Sequence, residues 1–178
     1  MDLTPVVFRF SRPLSKQSPW RGIGFSGYPV GMPTVSRRFS VKPPPTQVVE
    51  YLKNFENTEE WDPGTQTCTR TSSGKVVEGA TWHNVSKIFG VTAELTYTLK
   101  ELTESRLVFV GENKSSTSRD TITVDPAGTG SRLTYRADLA MKGAAKVLSP
   151  VMKIVFEKLA NDVEKQLTAV LNELPATH

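Results

Sequence analysis

The chain has 178 residues, enough for one domain with a real core, and its 38% hydrophobic and 22% charged content are ordinary for a soluble globular protein. The single cysteine, Cys68, excludes an internal disulfide framework, and no apolar run is long enough to span a bilayer. With no apolar leader in the first residues, these features predict a cytoplasmic protein.

The net charge of +4 is unevenly placed. Residues 1–42 carry seven basic residues against Asp2, a net of +6, which leaves −2 for residues 43–178. A slightly acidic globular part argues against nucleic-acid binding by the domain itself.

Residues 1–33 mix Pro5, Pro13, Pro19, Pro29 and Pro33 with Gly22, Gly24, Gly27 and Gly31, and no helical or strand period runs through them. They are expected to form a flexible basic extension. Three explanations stand beside one another: a plain disordered tail, upstream residues with no role, and a targeting or membrane-surface segment. The third would let the extension touch anionic lipid surfaces weakly, without stable membrane insertion.

The domain is expected over residues 34–174, with 175–178 as a tail. Thr34–Val41 alternates, with Val35, Phe39 and Val41 on one face, and predicts a first strand. Pro43-Pro44-Pro45 ends it and opens a helix, on which Val48, Tyr51, Leu52 and Phe55 share one side. Asn57 with Glu60 resembles a capping box for a second, very short helix that carries Trp61 and stops at Asp62-Pro63-Gly64.

Six further strands are predicted: Thr65–Thr71, Thr81–Ile88, Ala93–Glu101, Arg106–Gly111, Ser118–Val124 and Ser131–Leu139. The connections between them are mostly short, which implies hairpins and an antiparallel meander. Alternation puts Trp82, Asn84, Ser86 and Ile88 on the inner face, then Leu95, Tyr97 and Leu99. Leu107 and Phe109 follow, then Asp120, Ile122 and Val124, and then Leu133, Tyr135, Ala137 and Leu139.

Ser149–Leu174 reads as one long amphipathic helix, with apolar residues at Met152, Val155, Phe156, Leu159, Val163, Leu167, Val170, Leu171 and Leu174. Gly143-Ala144-Ala145 is a candidate hinge before it. A rod of this kind must bury its stripe on another element, and the strands supply that surface. The predicted class is α+β. Two short helices follow the first strand, and a curved antiparallel seven-stranded sheet wraps around the long C-terminal helix.

This order resembles the helix-grip superfamily, often called SRPBCC, which includes START lipid-transfer domains, polyketide cyclases and the birch-pollen allergen group. The narrower resemblance is to the bacterial polyketide cyclase/dehydrase and lipid transport branch. It rests on Pro43 to Leu52, Glu60-Trp61-Asp62-Pro63-Gly64 and Gly79-Ala80-Thr81-Trp82. It rests also on Tyr97 to Leu102 running into Arg106-Leu107-Val108-Phe109, and on Gly130 to Leu139. The resemblance implies a deep, mostly apolar cavity between sheet and helix, used to carry lipids, hormones or polyketides, or for ring closure or dehydration, generally without metal or cofactor.

Two histidines, His83 and His178, and no Cys/His cluster argue against a usual zinc site. Gly22 to Gly27 is glycine-rich but fits no phosphate-binding fingerprint. Cys68 has no basic activator near it in sequence and reads as a strand thiol. No catalytic set is identified.

Asp120 is the most interesting polar residue. Facing an apolar cavity, it would have a raised pKa and serve as an acid or base; at the rim, it would be solvated or paired with Arg119 or Arg136. Tyr97, Tyr135 and Asn84 are candidates to orient a ligand carbonyl or hydroxyl, and both tyrosines read first as core residues with hydroxyls hydrogen-bonded at the edge. Trp61 and Trp82 are candidates to stack a flat ligand, with Trp61 alternatively a plug under the short helices. Phe109, Met152, Val155, Phe156 and Leu159 complete the candidate ligand wall, with Leu148 and Val151 continuing toward the opening.

The expected function is a carrier or sensor that binds one small hydrophobic molecule without a cofactor. A cofactor-independent cyclase or dehydratase acting on a polyketide-like substrate is the alternative. An interaction module with little cavity comes third. The sequence leaves the oligomeric state open.

Overall fold

The computed structural model describes residues 34–88, 90–142 and 149–175, with only the backbone described for Ile88 and residues 149–153. The basic extension, the Gly143–Ala145 hinge, Leu148 and residues 176–178 lie outside the described residues, as do the side chains of Val151 and Met152.

The elements run β1 (Thr34–Val41), α1 (Pro45–Lys53), a 3-10 turn (Phe55–Asn57), α2 (Thr58–Trp61) and β2 (Thr65–Arg70). They continue with β3 (Thr81–Ile88), β4 (Val91–Leu102), β5 (Arg106–Glu112), β6 (Ser116–Ala127), β7 (Gly130–Met141) and α3 (Ser149–Asn172). The seven strands form one antiparallel sheet in the order β1-β7-β6-β5-β4-β3-β2. This is the helix-grip architecture: a curved sheet whose inner face meets α3, with the two short helices after the first strand.

Three local expectations are corrected. The helical period does not carry Phe55 on α1. The backbone leaves the helix at Asn54, whose side chain accepts from the Glu56 N–H, and Phe55 opens the 3-10 turn. Asn57 makes no side-chain cap; its amide donates to the Tyr51 carbonyl at 2.7 Å, so the capping box does not form. The expected six-residue turn after Val124 shrinks to Gly128-Thr129, because β6 runs on through Pro126. The Val124 N–H points toward β5 and donates to the Ser105 carbonyl. Two residues on, Pro126 faces the same side where β5 no longer runs, so its missing N–H leaves no ladder bond unmade. Gly128 takes the positive φ of 62° that this tight turn needs.

Both flanks of the sheet are fastened by polar groups. β2 is an edge strand, and its outward N–H groups are not bare. Glu59 accepts from the Cys68 N–H at 2.6 Å, and Glu56 accepts from the Arg70 N–H at 2.9 Å. Two carboxylates therefore cap an edge that would otherwise template strand addition.

On the opposite flank α3 lies along β1. Arg37 shares the inner face of β1 with Val35, Phe39 and Val41. It donates to the Glu157 carboxylate (2.8 Å), the Glu157 carbonyl (3.1 Å) and Asn161 (2.9 Å). Further along, Asn172 accepts from the Lys42 N–H and Gln47 donates to the Pro175 carbonyl. The helix therefore follows β1, with its C-terminal end at the β1–α1 corner.

Candidate ligand site on the inner face

The register places the inner-face residues in rows across the sheet. Tyr97, Gly111, Ser118 and Leu139 form one row; Leu99, Phe109, Asp120, Ala137 and Val35 the next; Leu107, Ile122, Tyr135 and Arg37 the third. Gly111 explains how the first row communicates with the second. A Cβ there would lie 2.6 Å from the Tyr97 ring, so the ring lies across the bare glycine and carries its hydroxyl toward β6.

The polar centre is Asp120. One of its oxygens accepts from the Tyr135 hydroxyl at 2.8 Å, and the other from Ser118 at 3.3 Å. The Tyr97 hydroxyl interacts with the same carboxylate and with Ser118. Asp120 is therefore interior and not paired with Arg119 or Arg136; Arg136 binds Asp138 through Nε and an Nη.

Burial pushes the Asp120 carboxyl up to about 6. The Tyr135 bond pulls it down, nearby Asp62 raises it, and Tyr97 and Ser118 pull it down again. Burial, then the Asp120 charge, holds both tyrosine hydroxyls well above their ordinary range, so both stay protonated donors. Asp62 closes the α2–β2 turn by accepting from the Gly64 N–H and the Thr65 hydroxyl. Its carboxyl too is raised by burial, although part of the residue meets solvent.

Beside this cluster lies an aromatic wedge. Phe55 stacks on Phe109 at 4.3 Å and meets Tyr97 at 4.5 Å and Trp82 at 6.0 Å. Trp82 and Phe109 are wholly enclosed, so the Phe55 ring holds the place against them. The Trp82 indole N–H is buried without a hydrogen-bond partner among the described residues. Asn84 is equally enclosed, donating to Thr65 and accepting from Ser86. Trp61 meets the Tyr135 ring edge-on at 6.2 Å and is buried under the short helices.

Where the inner face keeps accessible surface is informative. Along β6, Val124 and Ile122 are sealed, whereas Asp120, Ser118 and Ser116 each keep a little. Along β7, Leu133 is sealed, Tyr135 and Ala137 keep a little, and Leu139 and Met141 are half-buried. α3 repeats the trend: Leu171 and Leu167 are sealed, Phe156 is 8% exposed, and Val155 and Leu159 are half-buried.

Since Arg37 on the Tyr135 row holds Glu157, the loosening ends of sheet and helix coincide. The interior is a wedge, closed near Leu133 and Leu171 and loosest near Ser116 and Met141. Ser116 and Ser118, which the sequence reading did not select, line its loose end. The same alternation that marks Asp120, Ile122 and Val124, extended backward, points to them. A shallow surface hollow of about 330 Å³ at the other end, bordered by Ser40, Lys42, Thr129 and Asn172, is separate from this cluster.

Among the described residues no group of three His, Cys, Asp or Glu side chains could hold a metal ion. Burial raises the pKa of the Cys68 thiol, which favours the unreactive protonated form. No described helix is long and apolar enough to cross a membrane.

This sheet, grip helix and enclosed polar centre define a START-like ligand-binding or polyketide-cyclase fold. Residues 32–174 match the family described as polyketide cyclase / dehydrase and lipid transport, and the chain belongs to that family. Among solved structures, a START superfamily protein from Mycobacterium smegmatis is similar at a TM-score of 0.68 and 15% identity, covering 82% of this chain and 100% of that one. The aromatase/cyclase ZhuI from Streptomyces sp. R1128 is similar at 0.57 and 16%, covering 79% and 90%. The di-domain aromatase/cyclase StfQ of steffimycin biosynthesis is similar at 0.61 and 13%, covering 80% of this chain and 52% of that one. At these identities the likeness is one of fold. No curated protein sequence matches the chain.

Proposed function

We propose that the protein binds one small, mostly apolar molecule at the loose end of the wedge, as a carrier or sensor. A hydroxyl or carbonyl of the guest would meet Asp120, Tyr135 and Ser118. The observation that supports this is the coincidence of two features: the polar cluster stands where sheet and helix both loosen, and the sealed end is mostly carbon, its buried Ser131 hydroxyl already bonded to the Pro43 carbonyl. A guest with one polar end and an apolar body satisfies both surfaces. Native mass spectrometry of gently purified protein offered lipid extracts is the direct test. A retained small molecule and a raised melting temperature are expected; no adduct and no shift with any lipid class would overturn the reading.

A second reading is favoured by Asp120, whose carboxyl is pushed up to about 6. A carboxyl poised near neutrality can exchange a proton with a bound guest. On a polyketide-like guest, it would take the proton from carbon between two carbonyls and pass it to the hydroxyl that leaves as water. Asp120→Asn separates the two readings. A carrier keeps its function of binding and release, whereas a dehydratase retains binding and loses water elimination.

A further inference from the structure

We infer that the polar inner face selects a guest whose polar end is a hydrogen-bond donor, an alcohol or an amine, and turns away a ketone or a fatty acid. The inference rests on the binding reading above and narrows it. Of the hydroxyl and the carbonyl named there for the guest, the site suits the hydroxyl.

The protons of this face are already committed to the protein. Tyr135 gives its hydroxyl proton to one Asp120 oxygen at 2.8 Å, and Ser118 gives its own to the other at 3.3 Å. The Tyr97 hydroxyl donates to the same carboxylate. Ser116, at the loose end, donates to Asn113 at 3.1 Å, and Ser86 donates to Asn84 at 2.7 Å. Asn84 directs its amide N–H groups at Thr65 and the Cys68 sulfur, and the Thr65 hydroxyl donates to Asp62 at 2.8 Å. A hydroxyl has one proton and two lone pairs, so each of these hydroxyls keeps acceptor capacity and has no proton left to give.

An ionised carboxylate only accepts, with about four lone-pair directions on its two oxygens. Tyr135, Ser118 and Tyr97 occupy three at Asp120, which leaves a place for a donor from the guest. Asp120, Ser118, Ser116 and Tyr135 all keep a little accessible surface, so this acceptor set is what a guest at the loose end meets. Among the described residues, the one buried side-chain donor without a partner is the Trp82 indole N–H, and Trp82 has no accessible surface to offer.

Charge points the same way. Asp62 lies close enough to raise the Asp120 carboxyl, so a second acid stands near the first. Among the described residues, no basic side chain offsets them. Arg37 and Arg70 share the inward parity of their strands, but Arg37 is drawn to Glu157 and Asn161, and Arg70 to Ser72 and the Lys75 carbonyl. A carboxylate guest would meet like charge, and a ketone would set its lone pairs against lone pairs. An alcohol or an ammonium group supplies the proton that the cluster lacks.

The test is calorimetric titration of the full chain at pH 8 with four ten-carbon probes: decanol, decylamine, methyl octyl ketone and decanoic acid. At that pH the Asp120 carboxyl, pushed up to about 6, is ionised. Decanol and decylamine should bind about tenfold or more tighter than the ketone and the acid, the ratio expected when a buried acceptor is left unpaired. Asp120→Asn puts amide N–H donors where only acceptors stood, so the ketone should gain and the amine should lose, each about tenfold. If the parent binds the ketone or the acid as tightly as decanol, the inference is overturned and the binding reading stands. An unchanged order of affinities in folded Asp120→Asn would overturn it too, because the preference would then arise elsewhere. No binding of any of the four probes would overturn both the inference and the binding reading. The comparison on the parent is decisive by itself if Asp120→Asn does not fold.

Discussion

Tyr135 on β7 gives its hydroxyl to Asp120 on β6 at 2.8 Å, and the two residues are not opposite one another in register. Asp120 faces Ala137, and Tyr135 faces Ile122. The bond therefore runs diagonally across the ladder, over the space that the small Ala137 side chain leaves free. It holds a carboxyl group in an apolar interior and fixes which way that group points.

The sign of the resulting pH dependence follows from the raised carboxyl. An acid raised in the folded state binds its proton more tightly there than in the unfolded chain. The stabilisation contributed by Asp120 is then fully present below about pH 4 and is lost as the pH rises through the folded value of about 6. The difference between about 6 and the ordinary 3.8 corresponds to on the order of 3 kcal/mol at neutral pH. Urea melts from pH 4 to 7 should show this fall in the parent, and Asp120→Asn should flatten most of it. A residual slope of the same sign is expected from Asp62, also raised by burial.

Tyr135→Phe removes one donor and leaves the packing of the ring. The Asp120 carboxyl should then titrate higher than in the parent, and stability at pH 7 should fall by about 1.5–3 kcal/mol, the range for a hydrogen bond to a charged group. Carboxyl carbon shifts followed by NMR across pH 4 to 8 check the first point, and urea melts the second. An unchanged titration would mean that Ser118 and Tyr97 alone hold the carboxylate.

Gly111→Ala should destabilise, because the new methyl would overlap the Tyr97 ring lying across it. Overpacking of this kind costs about 1–3 kcal/mol. In Gly111→Ala/Tyr97→Ala the ring is gone, so the glycine substitution should become nearly neutral. A double-mutant cycle on urea melts measures that coupling.

Along α3 the cost of truncation should follow the taper. Leu167→Ala and Leu171→Ala remove fully enclosed side chains and should each cost about 2–5 kcal/mol. Val155→Ala and Leu159→Ala, half-buried, should cost less and should alter guest binding more. Phe156 faces the loose end yet is buried, so Phe156→Ala belongs with the expensive group. Denaturant melts paired with thermal shifts against lipids separate the two effects.

Much of this arrangement is legible from alternation alone. The inner faces of β5, β6 and β7 follow from the period of two, and so does the inward parity of Asp120, whereas its interior rather than rim position comes only from the structure. What the pattern misses is set by contacts between distant segments. Phe55 continues a helical period in sequence, but the chain breaks at Asn54 and turns the ring onto Phe109. Arg37 interrupts an otherwise apolar strand face, and only its partners on α3, some 120 residues later, explain it. Glu56 and Glu59 look like ordinary surface acids until β2 is placed beside them. Ser116 is the simplest omission: it lies one step of the same alternation before Ser118, where the strand was expected to start.

The taper of the interior has a consequence for how such a protein changes over generations. Where every side chain is locked between sheet and helix, a replacement threatens the whole architecture. Leu139, Met141 and Val155 are only half-buried, and a replacement there would alter the shape offered to the proposed guest at small expense in folding. Selectivity can therefore drift at one end while the other end conserves the scaffold. That division suits a fold whose solved relatives keep the architecture at only 13–16% identity with this chain.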